Sequence, residues 1–494
     1  MSDEPVERVD SAPRTEPALR TRRGARPGSG GERPRSFRRT PASKPPSHAA
    51  SGSEAPTAKT WLGVPRAIWP CIAYLIVEFA RPMEWVSALA LIRPGMLVAA
   101  WGAAAVVLTL RKDRRPLPRP VKLMFLFLLL MVWQVPWAMN NRWALWGLGD
   151  FALLVLGGVV PIAMLARDLA AVRTLLTAYV VLHVPMALHG LTHKGYGQGG
   201  WLFDNNDLAL ALNAGLGVAV FLFLETRSLM RRLWLAAVMG LLVAGVISTT
   251  SRGGFVGLAL LALFVLIVSP GKRKLIVAVC LAGGTIGVLA LAPPQFWARM
   301  HSIETASQEG DTGFQRLYLW GIAWREFLHH PITGVGTRNF GIQAPIYENR
   351  EYADATGTYM WGRVAHSIYF TLLSEQGLVG AVIFAMTCFW TIRTGLRIRR
   401  RARDGPPDPA TDTAANCATG LLAGVFGVLV TGTFLSVLYY PVLWVLVGMM
   451  AALDRVTAPP AAVPVRTSRG HRAASPRESR TPRIVPGAPG GALR

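Results

Sequence analysis

Long apolar runs are the feature that most constrains the fold of this chain. Runs of roughly 17 to 25 residues, the length that crosses a bilayer as an α-helix, recur through most of the 494 residues. A chain that is 51% hydrophobic is too apolar for a soluble protein of this size. We therefore predict an all-α, polytopic membrane protein of about twelve transmembrane helices, at 68–80, 94–110, 123–139, 143–166, 175–190, 208–224, 233–249, 254–269, 275–291, 367–392, 419–435 and 441–454. The first run is the weakest, because it is short and contains Pro70 and Glu78.

Basic residues occupy every second connection between these runs. Because Lys and Arg are retained on the cytoplasmic side, we expect both termini in the cytoplasm and the long connection 292–365 on the outer side. The residues concerned are Arg111, Lys112, Arg114, Arg115, Arg119, Arg167, Arg173, Arg227, Arg231, Arg232, Lys272, Arg273, Lys274, Arg393, Arg397, Arg399, Arg400, Arg401 and Arg403.

The two ends of the chain differ in composition from its middle. Residues 1–60 and 457–494 are rich in Arg, Pro, Ser and Gly and nearly free of aromatic residues, so they cannot bury a core. We interpret them as disordered, basic cytoplasmic tails that are attracted to anionic lipid headgroups and not to nucleic acid. The transmembrane domain then spans 61–456. The net charge of +24 reflects these tails together with the basic connections.

His366 lies where the long connection re-enters an apolar run. If 367–392 is one helix, the residues 4, 7, 11 and 14 positions after His366 share its face; these are Phe370, Leu373, Gly377 and Gly380. Two glycines on one face let a neighbouring helix approach closely and would fix His366 at the membrane surface. With a reference pKa of about 6.5, an imidazole can accept a proton from an attacking hydroxyl. A histidine at a helix start is also commonly a structural residue.

Arg252 lies in a short outer hairpin, 249–254. A charged side chain at the bilayer centre costs about 2.5 to 3.5 kcal/mol, so Arg252 must face a polar cavity or the interface. Gly253 and Gly254 favour the cavity, because glycines let backbone amides approach an anion. The alternative is an interfacial anchor.

A helix is also predicted inside the long connection, beginning at Asp311–Thr312 and ending at His330–Pro331. Its apolar stripe is Phe314, Leu317, Trp320, Trp324 and Phe327. Arg316 lies one turn before Trp320 on that stripe, whereas Arg325 is turned away from it. Arg316, Arg252 and His366 on one side of the membrane suit a phosphate-bearing lipid, because guanidinium groups bind phosphate oxygens in a two-pronged way.

Several further polar residues fall inside predicted spans. Glu375, Asp150, Glu78, His183 and His189 are either functional or packed in internal hydrogen bonds. Glu375 is half a turn out of phase with His366 on one helix and about 13 Å deeper, so we expect no direct pair.

The run 204–207, Asp-Asn-Asn-Asp, predicts a helix cap, with a sugar-binding contribution left open. The chain has no closely spaced carboxylates of the kind that bind a divalent metal with a diphosphate. Its four cysteines show no paired spacing. We therefore expect neither a metal nor another cofactor.

Taken together, these residues resemble the O-antigen ligase family. The family pattern His-[Asn/Ser/Gln]-x9-Gly-x2-[Gly/Thr/Tyr] is matched by His366, Ser367, Gly377 and Gly380. The hairpin at 251–254, Arg316 with Trp320, and the run 330–336 follow the family in the same order. The resemblance covers about 65–455, and it is the combination of motifs that is specific.

The resemblance implies a GT-C-like glycosyltransferase of the inner membrane with a large periplasmic loop that contains helices. It implies transfer of a glycan from an undecaprenyl-diphosphate carrier to an acceptor hydroxyl of a glycolipid, glycan or protein, without metal. Arg252 and Arg316 would hold the diphosphate, and His366 would act as base or orient the acceptor in an inverting displacement. Further candidates for substrate binding are Asn206, Arg338, Arg363 and Glu375.

Within the family, lipopolysaccharide ligases, surface polysaccharide polymerases and protein O-oligosaccharyltransferases share these features. We place the ligase first and the polymerase next. A small-solute transporter is the alternative from another class, and inverted repeats around a closed polar site at the midplane would favour it.

Overall fold

The computed structural model describes residues 60–61, 64–111, 116–269, 271–302, 312–357 and 359–458. Apart from a short antiparallel pair, β1 (Thr60–Trp61) and β2 (Val64–Pro65), the regular structure in these residues is helical. The all-α prediction is thereby confirmed. The predicted tails lie outside the described residues apart from Thr60, Thr457 and Ala458.

The helices follow one another along the whole described chain. The first ten are α1 (Trp69–Leu75), α2 (Pro82–Trp85), α3 (Ala88–Leu91), α4 (Pro94–Leu110), α5 (Arg119–Gln134), α6 (Asn141–Leu153), α7 (Val160–Leu165), α8 (Leu169–Thr192), α9 (Asn205–Glu225) and α10 (Leu229–Ser248). The others are α11 (Arg252–Val268), α12 (Gly271–Leu291), α13 (Pro294–His301), α14 (Thr312–His329), α15 (Phe340–Tyr347), α16 (Arg350–Thr356), α17 (Ile368–Asp404), α18 (Pro409–Thr431) and α19 (Pro441–Thr457). A wider π-helical turn follows α1 at Ile76–Ala80, and another joins α6 to α7 at Leu154–Val159. Turns of 3₁₀-helix occur at Arg66–Ile68, Val135–Trp137 and Gly432–Phe434.

Within the described residues, eight helical segments are long and apolar enough to cross a membrane. They contain α5, α6 with α7, α8, α9, α10, α12, α17 and α18. Two further apolar helices, α4 and α11, are shorter. Each predicted apolar run coincides with helix. A polytopic membrane protein is confirmed, and the count of about twelve spans stays a prediction.

Helix α9 is the most deeply buried of the long helices, because it is apolar on all sides. A Cβ on Gly217 would lie 2.7 Å from the backbone nitrogen of Gly424, so the close approach of α9 to α18 requires glycine. The Asn213 amide donates to the Gly254 carbonyl at 2.9 Å and to the Thr431 hydroxyl at 3.2 Å. These bonds tie α9 to α11 and α18.

Arginines collect at one end of the bundle. The contacts there are Arg173 with Glu225 at 3.4 Å, Arg397 with Asp454 at 2.7 Å, Arg273 with Asn416 at 2.8 Å and Arg455 with the Pro116 carbonyl at 3.0 Å. Glu225 is the last residue of α9, and Asp204 caps its start. A helix of this length spans about 30 Å, which is about the thickness of the hydrocarbon core of a bilayer. The basic end therefore lies on the opposite side of the apolar layer from Asp204.

Helix α17 is not continuous, which corrects the expectation of one helix over 367–392. Gly377 has φ 61° and ψ −164°, and a Cβ there would lie 2.5 Å from the Ile332 carbonyl oxygen. The turn 331–336 inserts at the break and satisfies its backbone: Val335 and Gly336 donate to the carbonyls of Ser374 and Glu375, while Leu378 and Val379 donate to those of Pro331 and Ile332.

The two glycines of α17 therefore do not support His366 through a shared helical face. Gly377 receives the turn 331–336, and a Cβ on Gly380 would meet Leu130 of α5 at 3.4 Å. The helix itself begins at Ile368, after the cap residue Ser367. Gly377 instead lies against a loop, and Gly380 lies near α5.

Helix α14 forms as predicted, but it buries a different face. Its buried residues are Leu319, Ile322, Ala323 and Glu326. Leu317 and Trp324 of the expected stripe are 52% and 46% exposed. The reason is that α14 packs on α15 and α17 through a small cluster with Phe340, Ala344, Met360 and Ala365. The proposed cap residue Asp311 lies outside the described residues.

Candidate active site

A polar cavity of about 270 Å³ lies where five parts of the chain meet. Its walls come from the start of α9, the connection between α10 and α11 with the first residue of α11, the helices α13 and α14, and the segment before α17. Arg252, Arg316 and His366, which come from three of these parts, all line it. We call it the first cavity.

Arg252 is the first residue of α11, directly after the cap residue Ser251. Its Nη1 donates to the Ser302 carbonyl at 2.8 Å, and its Nη2 donates to the Thr312 hydroxyl at 2.7 Å. Ser302 follows α13 and Thr312 begins α14, so one guanidinium is tied to both loop helices while it faces the cavity. Gly253 and Gly254 do not line this cavity, since they pack on Phe434 and Ala209.

The start of α9 is joined to the start of α11 by a chain of hydrogen bonds. Asp204 caps α9, as predicted, by accepting from the backbone nitrogen of Asn206 at 2.6 Å. The Asn206 side-chain nitrogen also donates to Asp204 at 2.6 Å, and its oxygen accepts from the Ser251 hydroxyl at 2.6 Å. Asn206 is thus held rigidly at the cavity wall.

His366 lies on the irregular segment before α17, with φ 48°. Burial and the neighbouring guanidinium groups of Arg316 and Arg363 lower the pKa of its imidazole to about 4, against an opposing effect of the Asp204 carboxylate. The imidazole is therefore neutral at neutral pH. A neutral imidazole is the form that accepts a proton.

Four arginines line the first cavity: Arg252, Arg299, Arg316 and Arg363. The Trp320 ring, one turn after Arg316, stacks on Phe370 of α17 with ring centroids 5.2 Å apart, which fixes α14 beside His366. Arg325 instead donates to the Tyr347 carbonyl at 2.8 Å and does not line the cavity. Asp204 is its one lining carboxylate among the described residues, so the cavity attracts anions.

Arg338 and Glu375, two of the predicted substrate-binding residues, line a separate space of about 800 Å³, the second cavity. The Glu375 carboxylate accepts from the Arg338 backbone nitrogen at 2.9 Å and from the Tyr439 hydroxyl at 2.7 Å. As expected, Glu375 and His366 do not face one cavity. Arg363 lines both cavities.

Sequence reasoning missed two residues of this region. Arg299, on α13, lines the first cavity, but it has no periodic relation to an apolar run that could have singled it out. Glu326 lies on the buried face of α14, and neither carboxylate oxygen has a hydrogen-bond partner among the described residues. Burial, with a smaller contribution from Glu375, raises the pKa of Glu326 to about 9. An isolated buried glutamate on a helix gives no sequence signal of its own.

Residues 237–385 match the family model described as O-antigen ligase. This segment contains Arg252, Arg299, Arg316, Arg363 and His366. Residues 237–385 belong to the O-antigen ligase family. No curated protein matches the chain.

The O-antigen ligase segment runs from the middle of α10 to beyond the break in α17. It supplies all four cavity arginines and His366, while Asp204 and Asn206 come from α9, before the segment. The match of this segment supports membrane glycosyl transfer of the O-antigen ligase and polymerase type.

Proposed function

We propose that this protein transfers a glycan from an undecaprenyl-diphosphate carrier to an acceptor hydroxyl. The observation that carries the proposal is the convergence of Arg252, Arg299, Arg316, Arg363 and His366 on the first cavity. Guanidinium groups stay charged and bind phosphate oxygens through paired hydrogen bonds. A cluster of them around one neutral imidazole suits a diphosphate ester next to a proton acceptor.

The reaction is an inverting displacement at the anomeric carbon. The acceptor oxygen forms a bond to that carbon as the bond to the diphosphate oxygen breaks, and undecaprenyl diphosphate departs with the electron pair. The arginines stabilise the charge that grows on the departing diphosphate, so positive charge is available without a metal ion. His366 takes the proton of the acceptor hydroxyl.

Donor binding strengthens His366 as a base. Burial lowers its pKa most, and Arg316 and Arg363 lower it further. A bound diphosphate places negative charge beside both guanidinium groups, which offsets their effect on the imidazole and raises its pKa towards neutrality. The part of the shift that comes from burial remains when the diphosphate binds.

The periplasmic location is part of the proposal. The arginines at the far end of the bundle, such as Arg397 and Arg455, lie opposite the first cavity. Because basic residues are retained in the cytoplasm, the cavity opens on the periplasmic side of the inner membrane. Its position at helix starts, and not midway along the helices, supports an enzyme over a transporter.

The test is transfer of lipid-linked glycan by the purified chain. His366→Ala and Arg252→Ala should each abolish transfer, whereas Arg325→Ala, a matched change on the same loop helix as Arg316, should retain it. Transfer should persist in excess chelator. Full transfer by both cavity variants would exclude the assigned roles.

The acceptor type is tested by the glycan profile of a deletion strain. Loss of a ligase, our first choice, leaves full-length polymer on the carrier. Loss of a polymerase leaves single repeat units, and loss of a protein O-oligosaccharyltransferase removes glycan from protein while surface polysaccharide persists.

A further inference from the structure

Apart from Arg363, which lines both cavities, the residues of the second cavity have no part in the proposed chemistry, although at about 800 Å³ this cavity is larger than the first. Its walls come from α6, the π-helical turn after α1, the turn that carries Arg338, and the connection before α19. A space of this size is in the range of cavities that hold small organic ligands.

One face of α6 is turned to the second cavity. Trp143, Trp146 and Asp150, spaced by three and four residues, share a helical face and all line it. Trp143 and Trp146 are 44% and 55% exposed, and the Asp150 side chain is 67% exposed. Two indole rings and a carboxylate thus line an open cavity, and the Arg142 guanidinium lies over one face of the Trp146 ring, 4.8 Å from its centroid.

Asp150 is paired with a rigidly held arginine. The Nη2 of Arg338 lies 3.0 Å from the Asp150 carboxylate, and the Arg338 backbone is fixed at φ 57° by its bond to Glu375. A Cβ on Gly147 would lie 2.6 Å from Thr337 and 3.2 Å from the Arg338 side chain, so the glycine lets the arginine stem lie against α6. The Asp150 carboxylate, which accepts hydrogen bonds, and the Arg338 guanidinium, which donates them, therefore lie side by side at the cavity wall.

A further donor at the cavity wall has no partner among the described residues. The Nε of Arg81 is buried and makes no hydrogen bond there, although its Nη2 pairs with Glu84 at 2.7 Å. Buried polar atoms in native proteins are usually satisfied. Arg81 thus adds a second guanidinium to the cavity wall beside Arg338.

We propose that the second cavity binds a pyranose unit of a saccharide substrate. A pyranose has one face of C–H groups, which packs on indole rings, and a rim of hydroxyls, which donate to Asp150 and accept from Arg338 and Arg81. The segment that carries Met360 and His366 on the first cavity carries Gly362 and Val364 on the second. A sugar in the second cavity therefore lies beside the proposed reaction centre, and in that respect the inference rests on the proposed function.

The saccharide has two sources, the glycan on the carrier or the glycan of the acceptor. Both can be taken from a strain that lacks this protein. Mild acid releases free glycan from the carrier-linked pool, and the acid-stable envelope fraction supplies the acceptor glycan. Sugar-free undecaprenyl diphosphate serves as the probe of the first cavity.

Binding of each probe to the purified full chain is measured by titration in detergent. Trp146→Ala and Asp150→Asn should weaken binding of one free glycan by tenfold or more and leave undecaprenyl diphosphate binding unchanged, while Arg252→Ala should do the reverse. The glycan affected identifies the source. Trp133→Ala on α5 and Asp412→Asn on α18, which are exposed outside both cavities, are the matched controls.

Three results would overturn the inference: unchanged glycan binding by both cavity variants, an equal loss in the controls, or no glycan binding by the wild-type chain. Unchanged binding by Trp146→Ala and Asp150→Asn would assign the two tryptophans to anchoring at the lipid interface. Glycan binding is read without transfer, so a wild-type chain that binds glycan but does not transfer it would refute the proposed function and leave the saccharide site standing.

Discussion

The Ser251 hydroxyl donates a hydrogen bond of 2.6 Å to the side-chain oxygen of Asn206. Ser251 caps α11 inside the O-antigen ligase segment, and Asn206 lies in the first turn of α9, before it. The cavity is therefore completed by a helix outside the matched segment. The position of Arg252 depends on this junction, because Arg252 directly follows Ser251.

Asn206→Ala should lower transfer about tenfold, which corresponds to about 1.4 kcal/mol. The change removes the acceptor of the Ser251 hydroxyl and loosens the junction beside Arg252. Initial rates at several donor concentrations are the measurement. Asn416→Ala, at the basic end of the bundle, is the control and should transfer normally. A normal rate in Asn206→Ala would mean that the junction does not position the cavity.

Gly377→Ala should lower the stability of the protein. A side chain at φ 61° and ψ −164° costs about 1 to 3 kcal/mol, and its Cβ would lie 2.5 Å from the Ile332 carbonyl oxygen. The unfolding midpoint in detergent should fall by several degrees. Gly283→Ala, on α12 with nothing within 4 Å of the added Cβ, should leave the midpoint equal or higher. An unchanged midpoint for Gly377→Ala would contradict the break in α17.

The elements that follow from local chemistry were predictable from the sequence. The apolar runs predicted the helices, and Asp204 predicted a helix cap. The four-residue spacing between Arg316 and Trp320 singled out Arg316, which lines the first cavity, over Arg325, which does not. The break at Gly377 was not predictable, because the apolar residues continue through it and the inserted turn 331–336 is distant in sequence.

Tertiary packing decided the rest of the site. Helix α14 is apolar on two faces, so its periodicity cannot say which of them is buried. The face with Leu319 and Ile322 packs on α15 and on the segment before α17, while Trp320 of the predicted stripe stacks on Phe370 of α17. Arg299 reaches the first cavity only through the placement of α13. Arg338 and Glu375, predicted to bind substrate, line the second cavity, and their role in substrate binding stays a prediction.

Transfer should lose activity in acid as His366 becomes protonated. With the imidazole pKa lowered to about 4, kcat/KM should hold down to about pH 5 and fall below it. Arg316→Gln removes one cause of the lowered His366 pKa. The variant should therefore transfer more slowly, and the fall of its kcat/KM in acid should begin at a higher pH. Arg325→Gln should leave the profile in place. If the fall in kcat/KM of Arg316→Gln began at a lower pH or at the same pH as in the wild-type chain, His366 would not be the titrating base.

Glu326 should make the protein less stable as pH rises. Its pKa is raised to about 9 in the folded chain, above the reference value of about 4.3, so the folded state holds a proton that the unfolded state has lost between these values. Stability contributed by this group is fully present below the reference pKa and is lost as pH rises towards 9. Glu326→Gln mimics the protonated form. In this variant the unfolding midpoint should therefore change less with pH between pH 5 and 9 than in the wild-type chain. An unaltered slope in the variant would assign the pH dependence to other groups.

The two ends of the bundle should differ in their access to thiol reagents. In a background without the four native cysteines, Gln315→Cys lies at the wall of the first cavity, and Arg403→Cys lies at the end of α17. Because basic residues are retained in the cytoplasm, a membrane-impermeant maleimide should label Gln315→Cys in intact spheroplasts and should label Arg403→Cys only after permeabilisation. The reverse labelling pattern would show that the orientation is the opposite of the proposed one. The cavity would then open to the cytoplasm, where it could not bind glycans that have already crossed the membrane on their carrier.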